Sequence, residues 1–263
     1  MHRVSATPPS PSSPQHRSAI VLGSGGMRSI AALGMVEVLV REGMQPDLVV
    51  GCSAGAMFGA LIAAGHGADE AVRIATTLWS AEVTRKRRWR AIPQMLWPRL
   101  GGFDADFALR DDRLVMQRLE QAFGDVRIEA LRLALRVTTT DASTGERVVL
   151  RSGSLVQALR ASIALPFMFT PVHIDGRRLI DGFVADPLPV SAATDAHTVL
   201  ALGFESPMPR RVDGPSRLLA QVTSALTNNL MQARLVEAGR RATEAALPAL
   251  CALLHRAPQL AVA

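Results

Sequence analysis

Leu48-Val49-Val50-Gly51-Cys52-Ser53-Ala54-Gly55-Ala56-Met57-Phe58-Gly59-Ala60-Leu61-Ile62 passes from a short apolar run, through a corner of small residues, into a stretch that suits a helix. A strand, a sharp turn carrying a serine and a helix that begins at once make the pattern of a nucleophile elbow. Gly51 and Gly55 stand two residues either side of Ser53, where the strand and helix backbones come close and a Cβ would clash. The turn exposes the Ser53 hydroxyl and aims the N-terminus of the following helix at it, which favours developing negative charge. The stretch therefore reads as the centre of a serine hydrolase.

On the N-terminal side, Ala19-Ile20-Val21-Leu22 has the character of a buried strand, and Gly23-Ser24-Gly25-Gly26 leads from it into Ile30 to Val40, where apolar residues recur at helical spacing. Gly43 ends that helix. Beyond the elbow, Ala68 to Ser80 predicts another helix, so strand, helix, strand, helix follow one another and imply a parallel sheet covered on both faces. Further on, Asp111 to Phe123 predicts a helix, Leu131 to Thr139 a strand, and Arg147 to Leu150 its hairpin partner. Val172-His173-Ile174 and Arg178-Leu179-Ile180 flank Asp175-Gly176, the dipeptide of a tight hairpin, and Asp181-Gly182 leaves the second of these strands. Val199 to Leu202 reads as a further buried strand, and Ser216 to Ala246 as one long helix or two shorter ones.

With 263 residues, 48% of them hydrophobic, the chain can bury one sizeable core. Met1 to Ser18 is rich in serine and proline, lacks the apolar stretch of a signal peptide and reads as a disordered leader, so a cytoplasmic or membrane-peripheral location is expected. Two cysteines, Cys52 in the elbow and Cys251 far away, form no disulfide framework. Cys52 reads as a small packing residue, and no Cys/His spacing suggests a metal. The net charge of +6 is carried by arginine, with Lys86 the one lysine; anionic membranes and nucleic acid both suit such a charge. The absence of tyrosine argues against stacking platforms for nucleic acid, so a lipid surface is the expected partner. Arg85-Lys86-Arg87-Arg88-Trp89-Arg90 and Met95-Leu96-Trp97-Pro98-Arg99-Leu100 interleave basic and large apolar residues, as an interfacial segment or an active-site cover does; a solvated basic helix and loop is the alternative.

A serine hydroxyl needs a base. Histidine is the usual one, and after His2 and His16 in the leader, His255 in the tail and His66 on a turn, His173 and His197 remain beside predicted strands. Asp181 is the other candidate, since a carboxylate within hydrogen-bond reach can take the proton directly and Gly182 lets the chain pass close to the elbow. Consecutive amides in Ser24-Gly25-Gly26-Met27-Arg28 suit an oxyanion, with Arg28 adding positive charge. The same turn half-matches a dinucleotide fingerprint, but Arg28 stands where its third glycine belongs.

A glycine-rich turn with an arginine after the first strand, Gly-x-Ser-x-Gly after the second and Asp-Gly far downstream together resemble the patatin-like phospholipase family. Ala161-Ser162-Ile163-Ala164-Leu165-Pro166-Phe167-Met168-Phe169-Thr170-Pro171-Val172 is similar to another segment of that family. The resemblance spans residues 19 to about 204. It implies a three-layer α/β/α sandwich with a mainly parallel sheet, and a lipid acyl ester as substrate, cleaved without metal or cofactor. It also implies that Ser53 is the nucleophile and Asp181 its base, that the Gly25 and Gly26 amides form the oxyanion hole with Arg28 orienting the loop, and that Ser162 to Pro166 positions the strand delivering Asp181. Ser24 and Ser29 replace glycines of the family pattern, and Asp186 stands where asparagine is common. Phe183 replaces a small residue, and its ring either lines the acyl pocket or crowds Ser53; in the latter case the chain is a binding or regulatory protein with the fold alone. The expected organisation is a leader over 1–18, a catalytic domain over 19–210 with an insertion at about 81–104, and a C-terminal helical segment over 211–263 packing on the same domain.

Overall fold

The computed structural model describes residues 16–78, 88, 89, 91–206 and, toward the C-terminus, 211, 213, 214, 217, 218, 220–233, 235, 236, 240 and 244. Residues 1–15 of the expected leader, Arg85, Lys86, Arg87 and Arg90 of the insertion, and Cys251 and His255 lie outside these. One compact unit reaches Phe204 and a second begins at Glu205, six residues before the expected division. In the second unit residues 220–233 are helical, within the stretch whose periodicity predicts a helix.

In the first unit β1 (His16–Leu22) is followed by a 3-10 turn over Gly26–Ile30, then by α1 (Ala31–Arg41), β2 (Leu48–Cys52), α2 (Ala54–Ala64) and α3 (Ala68–Leu78). Short helices α4 (Ala91–Leu96) and α5 (Pro98–Gly101) occupy the insertion, and α6 (Arg113–Phe123) follows. The remaining elements are β3 (Ala134–Asp141), β4 (Arg147–Leu150), α7 (Leu155–Ser162), β5 (Val172–Ile174), β6 (Arg177–Asp181) and β7 (Ala196–Leu202). The result is a mixed α/β fold around a seven-stranded sheet. Its centre is parallel, β2 pairing β1 and β3, and β7 pairing β1, whereas β4 and β6 run antiparallel to β3.

α2 is the central helix. Alanine, glycine, leucine and isoleucine leave it apolar all round, and every residue from Ala54 to Ala63 is buried, as expected of a helix enclosed by other elements. It joins Ile20, Leu22, Val49 and Leu135 of the sheet and residues of α1, α3, α6 and α7 in one core cluster. Alternation along the strands turns Ala19, Val21, Leu48 and Val50 to the other face, which the segment holding Leu188, Ala192 and Ala193 helps to cover.

Two strand expectations need correction. His16, Arg17 and Ser18 are not leader but the start of β1, with His16 opposite Ala196 and Ser18 opposite Thr198. β7 is an edge strand rather than a buried one, with Leu200 43% exposed, because β1 is its one partner among the described residues. The hairpin expectation holds: Asp175 (φ 50°) and Gly176 (φ 74°) both take the left-handed conformation that a tight β5–β6 turn requires. Among the described residues no helix is long and apolar enough to cross a membrane.

The arrangement around β3 sets the site. Val137 and Thr138 pair with both β2 and β4, and Thr139 and Thr140 with both β4 and β6. β4 therefore holds one edge of β3, and β2 and β6 share the other edge end to end. Cys52 lies opposite Thr138 and Asp181 opposite Thr139, so the C-terminal ends of β2 and β6 meet.

Candidate active site

Ser53 stands between β2 and α2 with φ 56° and ψ −127°, a strained conformation for a residue with a side chain. A Cβ on Gly55 would lie 2.4 Å from the Leu22 carbonyl oxygen, and one on Gly51 2.4 Å from Ala56 Cα, so both positions flanking the corner demand glycine. The corner is also pinned from outside. Ser162 Oγ accepts the Ser53 N–H at 2.8 Å and donates to the Thr138 carbonyl at 2.8 Å, while Thr138 Oγ1 donates to the Gly51 carbonyl at 3.1 Å.

At the end of β6, Asp181 is fully buried, and its Oδ2 accepts the Ser53 hydroxyl at 2.7 Å. Oδ1 accepts the Phe183 N–H at 3.0 Å, and the Asp181 N–H donates to the Ala164 carbonyl at 3.0 Å. A Cβ on Gly182 would sit 2.5 Å from the Thr138 carbonyl oxygen and 3.1 Å from Cys52 Sγ, which is the close passage expected of that glycine. Burial pushes the Asp181 carboxyl up to about 7, against the opposing pull of the Phe183 N–H and the Ser53 hydroxyl. A carboxylate poised there can take a proton near neutral pH. Cys52 is buried beside it, and burial first, then the Asp181 charge, raises its thiol well above the usual range, as suits a packing residue.

The glycine turn is tied to the loop that follows Asp181: Ser24 N–H donates to the Pro187 carbonyl at 2.8 Å, and Gly23 N–H to that of Leu202 at 2.9 Å. Gly25 and Gly26 open the 3-10 turn, where the first amides of a helical segment lack intrahelical partners. Arg28 Nε donates to the Gly25 carbonyl at 3.2 Å, and its guanidinium lies 5.6 Å from the centre of the Phe204 ring. Arg28 thus braces the turn from within, while Ser29, small enough to be buried there, donates to the Gly23 carbonyl at 3.4 Å.

The other candidates stand apart. His173 and His197 are exposed on β5 and β7, and His66, on the turn after α2, pairs with Glu70 at 3.0 Å. The hydrogen-bond partner of the Ser53 hydroxyl among the described residues is Asp181. Phe183 is half-buried and acts on Asp181 through its backbone N–H, which any residue but proline would supply. The segment Ser162 to Pro166, expected to position the strand that carries Asp181, meets that strand through Ala164, whose carbonyl accepts the Asp181 N–H; the Ser162 hydroxyl in addition holds the Ser53 corner. Sequence reasoning placed Arg147 at the start of a strand and gave it no part in the site. Arg147 Nη1 donates to buried Asp186 Oδ2 at 2.6 Å and also bonds Ser191, anchoring the loop that supports the glycine turn. The aspartate at 186 was the available signal, since a buried carboxylate calls for a cation. Among the described residues no group of three or more His, Cys, Asp or Glu side chains is arranged to hold a metal ion.

The family model for patatin-like phospholipase matches residues 20–194. The chain belongs to the patatin-like phospholipase family. An uncharacterized NTE family protein of Mycobacterium tuberculosis (strain ATCC 25618 / H37Rv) is 34% identical over 190 residues, covering 72% of this chain and 49% of that protein. Patatin-like phospholipase domain-containing protein 6 of Mus musculus is 30% identical over 193 residues, covering 72% of this chain but 13% of its own length. The chain thus spans at most about half the length of these relatives. Among solved structures, VipD from Legionella pneumophila is similar with a TM-score of 0.42 and 20% identity, over 67% of this chain and 47% of that one. In this patatin-like chain the family match encloses Gly25, Gly26, Arg28, Ser53, Ser162 and Asp181.

Proposed function

We propose that this patatin-like protein is a lipid acyl hydrolase of the phospholipase A type that works through a Ser53/Asp181 dyad. The 2.7 Å hydrogen bond between a hydroxyl on a strained corner and a buried carboxylate carries the reading. Ser53 Oγ attacks the ester carbonyl carbon as Asp181 accepts its proton, and the carbonyl electrons move onto the oxygen. Gly25 and Gly26 amides and the N-terminus of α2 stabilise that oxyanion. Collapse of the tetrahedral species expels the alkoxide, which takes the proton back from Asp181 and leaves an acyl-serine. Water, deprotonated by Asp181, then attacks the acyl carbon, and Ser53 regains its proton as the fatty acid departs.

The same reading includes peripheral attachment to an anionic membrane through the insertion. Trp89, Met95, Leu96, Trp97 and Leu100 are all exposed, Leu100 at 89%, and in sequence they lie among six basic residues between Arg85 and Arg99. Apolar side chains that enter the lipid boundary, flanked by arginines that meet its phosphates, are what such an interface uses. The test of the dyad compares the parent with Ser53→Ala and Asp181→Asn on a short p-nitrophenyl ester and on phospholipid vesicles, with fluorophosphonate labelling of the serine. Both variants are expected to fall by at least about a hundredfold, a typical size for losing an acid–base group. Full turnover by either would overturn the reading.

A further inference from the structure

We propose that the arginine pocket at the start of the insertion helices binds the phosphate of a phosphomonoester, held in a membrane as phosphatidic acid or free in solution. The inference rests on the reading of peripheral attachment and adds the group that is recognised. Among the described residues Arg88, Arg110, Asp111, Asp112, Arg113 and Thr170 line the pocket. Its volume of about 190 Å³ is more than ten times the roughly 10–15 Å³ that one water needs, so a hydrated phosphate has room. Neither Ser53 nor the glycine turn is in the lining, so a group held here is anchored rather than cleaved.

Backbone hydrogen bonds hold the pocket's walls together. Arg88 N–H donates to the Leu109 carbonyl at 2.9 Å, Leu109 N–H to that of Phe167 at 2.8 Å, and Arg110 N–H to that of Met168 at 3.0 Å. The three segments that supply the lining are thus joined before any ligand arrives, which lowers the ordering cost of binding. The charges favour an anion. Asp112 Oδ2 accepts the Thr170 hydroxyl at 2.6 Å and is bonded by buried Arg160, while Asp111 accepts the Arg113 N–H at 3.0 Å and lies 3.3 Å from its Nε. Each carboxylate therefore has a cation of its own. Half-buried Arg88 has no hydrogen-bond or ion-pair partner for its guanidinium among the described residues. α6 also starts at Arg113, so the positive end of its dipole borders the same space.

Arginine forks match the oxygens of a phosphate, and a monoester presents three of them with about −1.5 to −2 charge at pH 7. A diester has fewer free oxygens, and its second substituent stands in the way of a recess. The pocket's place fits a group on a membrane. Trp89, directly after Arg88, is 79% exposed, and the Arg88 carbonyl accepts the Ala91 N–H at the start of α4, which carries exposed Ile92, Met95 and Leu96. Those side chains entering the lipid boundary would bring the pocket to the level of the phosphates.

The experiment uses the full chain with Ser53→Ala, so that no lipid is consumed, and measures its binding to phosphatidylcholine vesicles containing phosphatidic acid or phosphatidylglycerol at equal surface charge. Phosphatidic acid is expected to bind more tightly, and Arg88→Gln to weaken that binding by about tenfold and abolish the preference, as the loss of a charge-assisted hydrogen bond does. Arg99→Gln removes the same charge outside the lining and is expected to weaken both vesicles alike, keeping the preference. Inorganic phosphate is expected to raise the melting temperature saturably, and to lose that effect in Arg88→Gln. Such stabilisation with equal binding to the two vesicles would support the pocket and make a free phosphomonoester its ligand. Arg110→Gln decides if Arg88→Gln does not fold. Equal vesicle binding without stabilisation by phosphate, or a preference that the arginine variants of the lining retain, would overturn the pocket and leave attachment standing. Binding to neither vesicle, with no stabilisation, would overturn both.

Discussion

Asp181 has no exposed surface and a carboxyl pushed up to about 7 by burial, so it changes charge in the range that the proposed role as base for Ser53 requires. Only the ionised form accepts a proton, and kcat/KM is expected to rise tenfold per pH unit below about pH 7 and level off above it. A profile flat from pH 5 to 8 would contradict that role. The same shift has an opposite sign for stability. A carboxyl whose folded value exceeds its unfolded value stabilises most below the unfolded value, about pH 4, and the contribution is lost as pH rises through about 7. Asp181→Asn is neutral throughout, so its melting temperature should gain on the parent progressively from pH 4 to 7, by several degrees in all. An unchanged difference across that range would show that the carboxylate is not desolvated. Ser162→Ala tests the corner itself: it strands the part-buried Ser53 N–H and the buried Thr138 carbonyl, and a buried polar group costs about 1–3 kcal/mol when unpaired. Thermal stability and kcat should both fall while the midpoint of the pH profile stays in place, because Asp181 keeps its own partners. A shifted midpoint would mean that Ser162 acts on the carboxylate instead.

Elements carry the site to different degrees. The elbow and the β5–β6 hairpin are legible in sequence because each is set by residues within a few positions: Gly51 and Gly55 around Ser53, and Asp175-Gly176 at a turn that needs positive φ. The insertion shows its composition but not its form, since arginine and tryptophan in alternation fit an exposed loop as well as two short helices. In the structure α4 and α5 leave Met95, Leu96, Trp97 and Leu100 facing outward, an apolar group that a water-facing surface alone does not explain. Replacing Leu100 with aspartate should lower sedimentation with anionic phosphatidylglycerol vesicles several-fold at low salt while leaving hydrolysis of a soluble short-chain ester unchanged. Equal sedimentation of parent and variant, or binding insensitive to salt, would exclude this face as the attachment surface.

At the scale of the whole molecule the deciding fact is non-local: β2 and β6 share one edge of β3, so Ser53 and Asp181 meet although 128 positions separate them. Local periodicity finds each strand but says nothing of which edge it takes, and for the same reason it leaves His16 to Ser18 in a leader and makes β7 a buried strand. What keeps this edge of the sheet in place is a pair that sequence patterns do not mark. Arg136 of β3 is buried, gives its guanidinium to Asp195 at 2.5 Å through both Nη atoms, and also donates to the Ala192 carbonyl at 2.6 Å. Asp195 immediately precedes β7, so the pair fastens the edge strand to the centre of the sheet. The Arg136 guanidinium holds the Asp195 carboxyl down to about 2. A lowered value stabilises above the unfolded value, about pH 4, and that contribution disappears as pH falls through about 2. Asp195→Asn should therefore lower the melting temperature at pH 7, speed amide exchange along β7 more than along β2, and converge on the parent as the pH approaches 2. If β7 exchanges at its original rate in the variant, the pair is not what holds that edge, and the backbone ladder to β1 suffices.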